Sequence, residues 1–213
     1  MYQFQVNGTY HQVLDDQRLI DYLRDTLGLR GTKEGCSGGA CGTCTILIDG
    51  KKSKACVVTL SQLDGKKVTT IEGLSEREKS VYTYAFGECG AVQCGFCIPG
   101  MIISAKALID ENPNPTSADI KKAIMGNICR CTGYVKIEQG IALAAQMLRD
   151  NIPVPAADYT AAVGTPLHRI DVEDKVLGTG LYSDDFKVDG MVYAKAIRSK
   201  YPRARVDRID INK

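Results

Sequence analysis

No run in this sequence is apolar over the roughly 20 residues that a bilayer core demands, so a membrane span is not expected. Charge of one sign is also missing. The 27 Lys and Arg nearly cancel the 25 Asp and Glu, leaving a formal net charge of +2, and the basic residues are interleaved with acids. That removes the electrostatic footprint expected of a nucleic-acid partner. Histidine is scarce: His11 and His168 stand alone in extended segments and read as surface or packing residues rather than ligands. There is no Ser-His-Asp set, no paired-carboxylate site and no P-loop, so the sequence offers no candidate for a bond-making step. The N-terminus MYQFQVNGTYHQVLDDQ has no continuous hydrophobic core. It reads as a pair of strands rather than a secretory signal, and the expected compartment is the cytoplasm.

What the sequence does hold is cysteine. Nine cysteines in 213 residues, without an export signal, point away from disulfides and towards metal binding or redox chemistry. The 44% apolar and 24% charged composition is that of an ordinary folded protein with room for one to two domains.

The chain divides by periodicity. Tyr2, Phe4 and Val6 alternate with polar residues, Asn7-Gly8 supplies a tight turn, and a second extended run reaches Val13, which makes a hairpin. Leu19, Ile20, Leu23 and Leu27 recur at helical spacing over 18–27, with Gly28 placed to cap that helix. A glycine- and cysteine-rich loop runs from Gly31 to Cys44. TILI, the turn Asp49-Gly50 and the lysine-bearing run to Val58 predict a second hairpin, and VTTI at 68–71 another strand. After Gly73 the period changes, and helices are predicted over 76–92, 98–110, 117–125 and 136–149. Pro153, Pro155 and Pro166 mark a linker from Asp150. Beyond it, short alternating segments such as MVYAKAIRS suggest further strands, and the basic residues from Arg198 to Arg208 read as a solvated strand face.

Two cysteine constellations stand out. The first, GTKEGCSGGACGTC and a later cysteine, is Cys36-x4-Cys41-x2-Cys44-x11-Cys56. C-x4-C-x2-C with a distant fourth cysteine is the ligand spacing of plant-type 2Fe-2S ferredoxins. Three thiolates in one loop must curl around a rhombic cluster while backbone N–H groups point inward at its sulfurs. Gly35, Gly38, Gly39 and Gly42 allow that geometry. The second constellation, QCGFCIPG with NICRCTGY, gives Cys94-x2-Cys97 and Cys129-x1-Cys131. Cys94 and Cys97 would lie at the N-terminal end of the helix starting near Ile98, where the dipole favours thiolates. Cys129 and Cys131 would come from the end of the next helix, and two such pairs can close a four-thiolate site. On spacing alone, structural zinc remains open for this second set. The C-x-x-C is no thioredoxin motif, because the βαβ context is lacking. Cys89 is left over as a small hydrophobe.

GCSGGACGTC, then QCGFCIPG, then GNICRCTGY, in this order and at these separations, resembles the iron-sulfur subunit or domain of the xanthine dehydrogenase and aldehyde oxidoreductase family of molybdenum hydroxylases. The resemblance covers about residues 1–150. It implies an α+β chain: a β-grasp, ferredoxin-like 2Fe-2S domain over 1–73, then a four-helix-bundle 2Fe-2S domain over 74–150. Cys36, Cys41, Cys44 and Cys56 would bind the outer cluster, and Cys94, Cys97, Cys129 and Cys131 the one nearer molybdenum, which for this family settles the zinc question. Gln93 and Cys131 would lie against the molybdopterin. After a linker at 151–165, residues 166–213 look like the opening of the family's molybdopterin-binding part, with a G-x-Y-x-x-D element; Arg203 stands where that family has histidine. The implied role is electron transfer during oxidative hydroxylation of a purine such as xanthine, the chemical step lying outside this segment. Aldehydes or N-heterocycles as substrates, and a freestanding two-cluster carrier, are the alternatives. The implied partner is a molybdopterin-binding subunit or domain; attachment of an FAD-binding subunit is left open.

Overall fold

Tyr2–Val6 (β1) buries Phe4 and Val6 on one face, as the alternation requires, in a computed structural model that describes residues 1–156, 160, 163–164 and 167–210. β1 pairs antiparallel with Thr9–Val13 (β2) through a turn in which Asn7 (φ 49) and Gly8 (φ 85) are both left-handed. Thr45–Ile48 (β3), Lys51–Lys54 (β4) and Lys67–Thr69 (β5) complete a five-stranded sheet in the order β2-β1-β5-β3-β4. β1 and β5 run parallel and the other neighbours antiparallel.

The helix expected over 18–27 is one α turn, Leu19–Asp21 (α1), continuing as a π turn over Tyr22–Thr26 in which Leu27 N bonds Tyr22 O. The wider turn still presents Leu19, Ile20 and Leu23 to the sheet, all fully buried. Two expected strand ends are instead 3-10 turns: Ala55–Val57, which carries Cys56, and Ile71–Gly73.

Four longer helices follow: Glu76–Glu88 (α2), Ile98–Glu111 (α3), Ser117–Ile124 (α4) and Val135–Arg149 (α5). Ser75 with Glu78, and Thr116 with Asp119, form reciprocal capping boxes at the starts of α2 and α4. α2 stops short of the expected Val92 because Gly90 turns left-handed (φ 58). Ala91 N then bonds Phe86 O and Gly90 N bonds Gly87 O, satisfying the last carbonyls. Ile102, Phe86, Ile141 and their neighbours form a second core, which reaches the sheet through Leu47 of β3, packed under α3.

Part of the expected linker lies outside the described residues. Its first residues are not detached, since Arg77 Nη2 donates to Met147 O and to Ile152 O. A short helix, Val172–Val176 (α6), buries Val172 and Val176 in the second core.

The chain divides into the units Met1–Gly180 and Leu181–Lys213. In the latter the described residues contain one 3-10 turn, Ser183–Asp185, and no strand. The strands expected around 191–199 are therefore not formed. Alternation marks a strand's two faces, but a strand also needs a neighbour to bond with, and the described residues of this unit supply none.

Candidate metal centre

The first four cysteines sit where the sheet meets the loop 31–44. Ser37 (φ 53), Gly39 (φ 74) and Gly42 (φ 69) coil that loop, and the backbone N–H groups of Cys41, Gly38 and Ala40 turn towards the Cys36 sulfur. Cys41 N lies 3.4 Å from Cys36 Sγ. These donors, Cys41 first, pull the exposed Cys36 thiol down to about 6. Cys44 and Cys56 are buried side by side, Ala55 N bonding Cys44 O at 3.1 Å. Burial, and the neighbouring Cys56 and Cys41, push the Cys44 thiol up to about 12. The Lys54 ammonium holds the loop by donating to Gly39 O.

The second four gather around the N-terminal end of α3. Cys97 is the N-cap of α3 and is buried. Burial drives its thiol far above its ordinary range, with Cys129 and Cys94 adding to the shift. Cys129 and Cys131 are not at a helix end as expected: α4 ends at Ile124, and both cysteines occupy the loop that leads to α5. The reason lies in Tyr134, whose left-handed backbone (φ 71) folds that loop back so that its hydroxyl accepts from Cys129 N at 2.9 Å. Burial works to raise the Cys129 thiol, but bonds from the Thr132 hydroxyl, 3.1 Å away, and from the Thr132 and Cys131 amides leave it lowered. Cys131 Sγ lies 3.6 Å from Cys94 Sγ, and that contact raises the Cys131 thiol. Gln93 and Cys131 are both exposed.

The two sets are interlocked. Ile128 N donates to Cys41 O at 2.8 Å. Asn127, buried to 4% exposure, donates to Gly42 O (2.7 Å) and Thr45 Oγ1 (3.1 Å) and accepts from Ser104 Oγ (2.7 Å). Neither Asn127 nor Tyr134 was singled out by the sequence, although both stand inside its last motif, where only the cysteines carried a spacing signal.

Does this arrangement suit a metal group? Among the described residues no three Cys, His, Asp or Glu side chains converge on a point that would hold a single ion. The thiols gather in neighbouring pairs instead, such as Cys44 with Cys56 and Cys94 with Cys131. Pairs held a short way apart are what a two-iron rhomb takes, two thiolates to each iron. The buried thiols favour their neutral form in the bare chain, and a bound metal's charge would reverse that. Backbone donors turned on Cys36 fit electron-rich sulfur. The cysteines are also distinct from a groove of about 600 Å³ lined by Lys51, Lys52, Ser104, Asp119 and Lys122, which contains none of them. No helix among the described residues is long and apolar enough to cross a membrane.

Residues 2–82 match the family described as "2Fe-2S iron-sulfur cluster binding domain", and residues 70–142 the family described as "2Fe-2S binding domain". The chain is 44% identical over 144 residues to the nicotinate dehydrogenase small FeS subunit of Eubacterium barkeri, covering 66% of this chain and 92% of that subunit. It is 47% identical over 135 residues to a probable xanthine dehydrogenase subunit of Bacillus subtilis, 62% of this chain and 78% of the other. The aldehyde oxidoreductase of Megalodesulfovibrio gigas is 34% identical over 96% of this chain, which spans 24% of that protein. Among solved structures, the aldehyde oxidoreductase from Desulfovibrio desulfuricans superposes with a TM-score of 0.78 at 35% identity, over 86% of this chain and 22% of the other.

Proposed function

Since the chain belongs to the family of iron-sulfur subunits and domains of xanthine dehydrogenases and aldehyde oxidoreductases, we propose that it holds two 2Fe-2S clusters through Cys36, Cys41, Cys44 and Cys56 and through Cys94, Cys97, Cys129 and Cys131. The observation that carries this reading is the backbone of Gly38, Ala40 and Cys41 turned onto the Cys36 sulfur inside a C-x4-C-x2-C loop. When bound, each cluster supplies a centre that accepts and passes on one electron at a time. The chain's own part is to grip, insulate and connect. Cys44, Cys56 and Cys97 are buried and would shield one side of each site from water. The bond from Ile128 N to Cys41 O links a ligand of the first set to the neighbour of Cys129 in the second. Gln93 and Cys131, both exposed, would face the molybdopterin of a partner domain or subunit.

In this reading residues 1–73 form a β-grasp domain and 74–150 a four-helix-bundle domain. Residues 151–165 link them to the opening of a molybdopterin-binding part at 166–213, with an FAD-binding subunit as a further partner. The substrate class proposed is a purine such as xanthine, supported by the three-motif resemblance and by the name of the Bacillus relative. A second reading, an aldehyde, is favoured by the match to aldehyde oxidoreductase, which continues over nearly the whole of this chain.

The test is iron, labile sulfide and EPR analysis of the purified chain. About four irons and two distinct reduced-state signals are expected, and Cys→Ser changes in one set should abolish one signal and spare the other. A colourless chain, or one binding a single zinc ion, would defeat the proposal. Turnover of xanthine, nicotinate and aldehydes by the complete enzyme decides the substrate class.

A further inference from the structure

None of the cysteine motifs extends past residue 134, yet the segment 168–180 returns to touch the loops that carry them. Its first contact is at the end of α2, where His168 Nε2 pairs with Glu88 Oε2 at 2.8 Å and the imidazole rests on Tyr84. Next, Arg169 Nη1 donates to Gln93 O at 2.7 Å, the carbonyl immediately before Cys94. Asp171 grips the same guanidinium from the other side, its Oδ2 2.9 Å from Nη2, so the fork is aimed rather than mobile.

α6 is too short to persist alone, and its two valines, Val172 and Val176, anchor it in the helical core. That anchorage lays Lys175 across Gly95 (φ 84). A Cβ at Gly95 would stand 2.7 Å from Lys175 Cβ, so the loop between Cys94 and Cys97 has no side chain at the place where the segment crosses it. Finally, Gly178 (φ 76) comes so close to Gly31 that a Cβ there would lie 2.5 Å from Gly31 Cα. Lys33, 1% exposed, donates from Nζ to Gly178 O at 2.9 Å.

We infer that residues 168–180 form a strap that fixes the backbone of Gln93–Gly95, with Arg169 and Lys175 as positioning residues for the second cysteine set. The inference rests on the electron-transfer reading above and deepens it. Cys94 is an exposed ligand candidate at the start of a short loop, so its sulfur is only as well placed as the peptide on either side of it. The strap holds that peptide from both sides, by a charge-assisted bond at residue 93 and by a side chain laid on residue 95. Partners one step removed from the ligands orient them and set how tightly a metal group is kept.

The test uses the full chain carrying Arg169→Ala, Arg169→Lys and Lys175→Ala. Wild type and variants should each hold about four irons after reconstitution. In Arg169→Ala, half of that iron should pass to a chelator about 10-fold faster. The EPR signal of one cluster should shift in g-values and midpoint potential while the other stays as in wild type, and Arg169→Lys should restore part of the change. If Arg169→Ala and Lys175→Ala merely lower the melting temperature and leave both signals, both potentials and iron release unaltered, the strap has no positioning role and the inference falls. A wild-type chain that binds no iron would overturn the electron-transfer reading and the inference with it.

Discussion

At Gly42 the backbone takes φ 69, and a Cβ there would stand 2.1 Å from Gly126 O, a rigid backbone atom. Both the left-handed conformation and the missing space forbid a side chain, and the penalties add. Gly42→Ala is expected to destabilise the chain by about 2–4 kcal/mol, read as a drop in the denaturant midpoint. Gly50→Ala, equally left-handed (φ 77) with nothing within 4 Å, should lose only about 1–2 kcal/mol. The buried Asn127 is the other residue on which the same contact depends. Replacing it with Leu takes away the acceptor of the buried Ser104 hydroxyl, at about 1–3 kcal/mol, while Gly42 O loses one donor but keeps the Thr45 amide and hydroxyl. Thermal unfolding of Asn127→Leu beside wild type checks this. The sequence displayed the glycine-rich loop and its reason, but not these partners. Glycine advertises freedom of φ, whereas the carbonyl that fills the space comes from residue 126, far along the chain.

Elements whose signals are local were legible. The hairpin at Asn7-Gly8, the four long helices and the N-terminal placement of Cys97 follow from turn chemistry, periodicity and dipole. What failed was termination by other means: the reach of α2, cut by Gly90, and the loop bearing Cys129 and Cys131, folded back by Tyr134. The start of α2 also titrates. Burial acts to raise the Glu78 carboxyl, but bonds from Lys106 (2.7 Å) and Ser75 outweigh it and hold it below its ordinary value of 4.5. A carboxyl depressed in the folded state lends stability above its unfolded pKa and loses it as the pH falls through the acid range. Glu78→Gln should therefore lower stability by about 1 kcal/mol at pH 7, with the gap to wild type closing below about pH 4. Denaturant titrations at pH 7 and pH 3.5 test the sign.

At the scale of the whole molecule, the sheet core and the helical core meet at Leu47 and through the polar knot of Gly42, Asn127 and Ser104. Residues 1–180 are accordingly expected to unfold in one transition, with calorimetric and van't Hoff enthalpies equal. Asn127→Leu should separate the two halves into successive steps. The contact between the sheet core and the helical core had no signal in the sequence, because it is made of backbone carbonyls and one amide side chain, which have no periodicity. The same folding brings a hazard to the metal-free chain. Cys94 and Cys131 already hold their sulfurs 3.6 Å apart, so with the ligand set proposed above oxidants would compete with iron for the same pair of atoms. A newly made chain must be supplied with iron and sulfide before that pair is oxidised to a disulfide, and air exposure of the metal-free protein should leave it unable to accept its second cluster until a reductant reopens the pair.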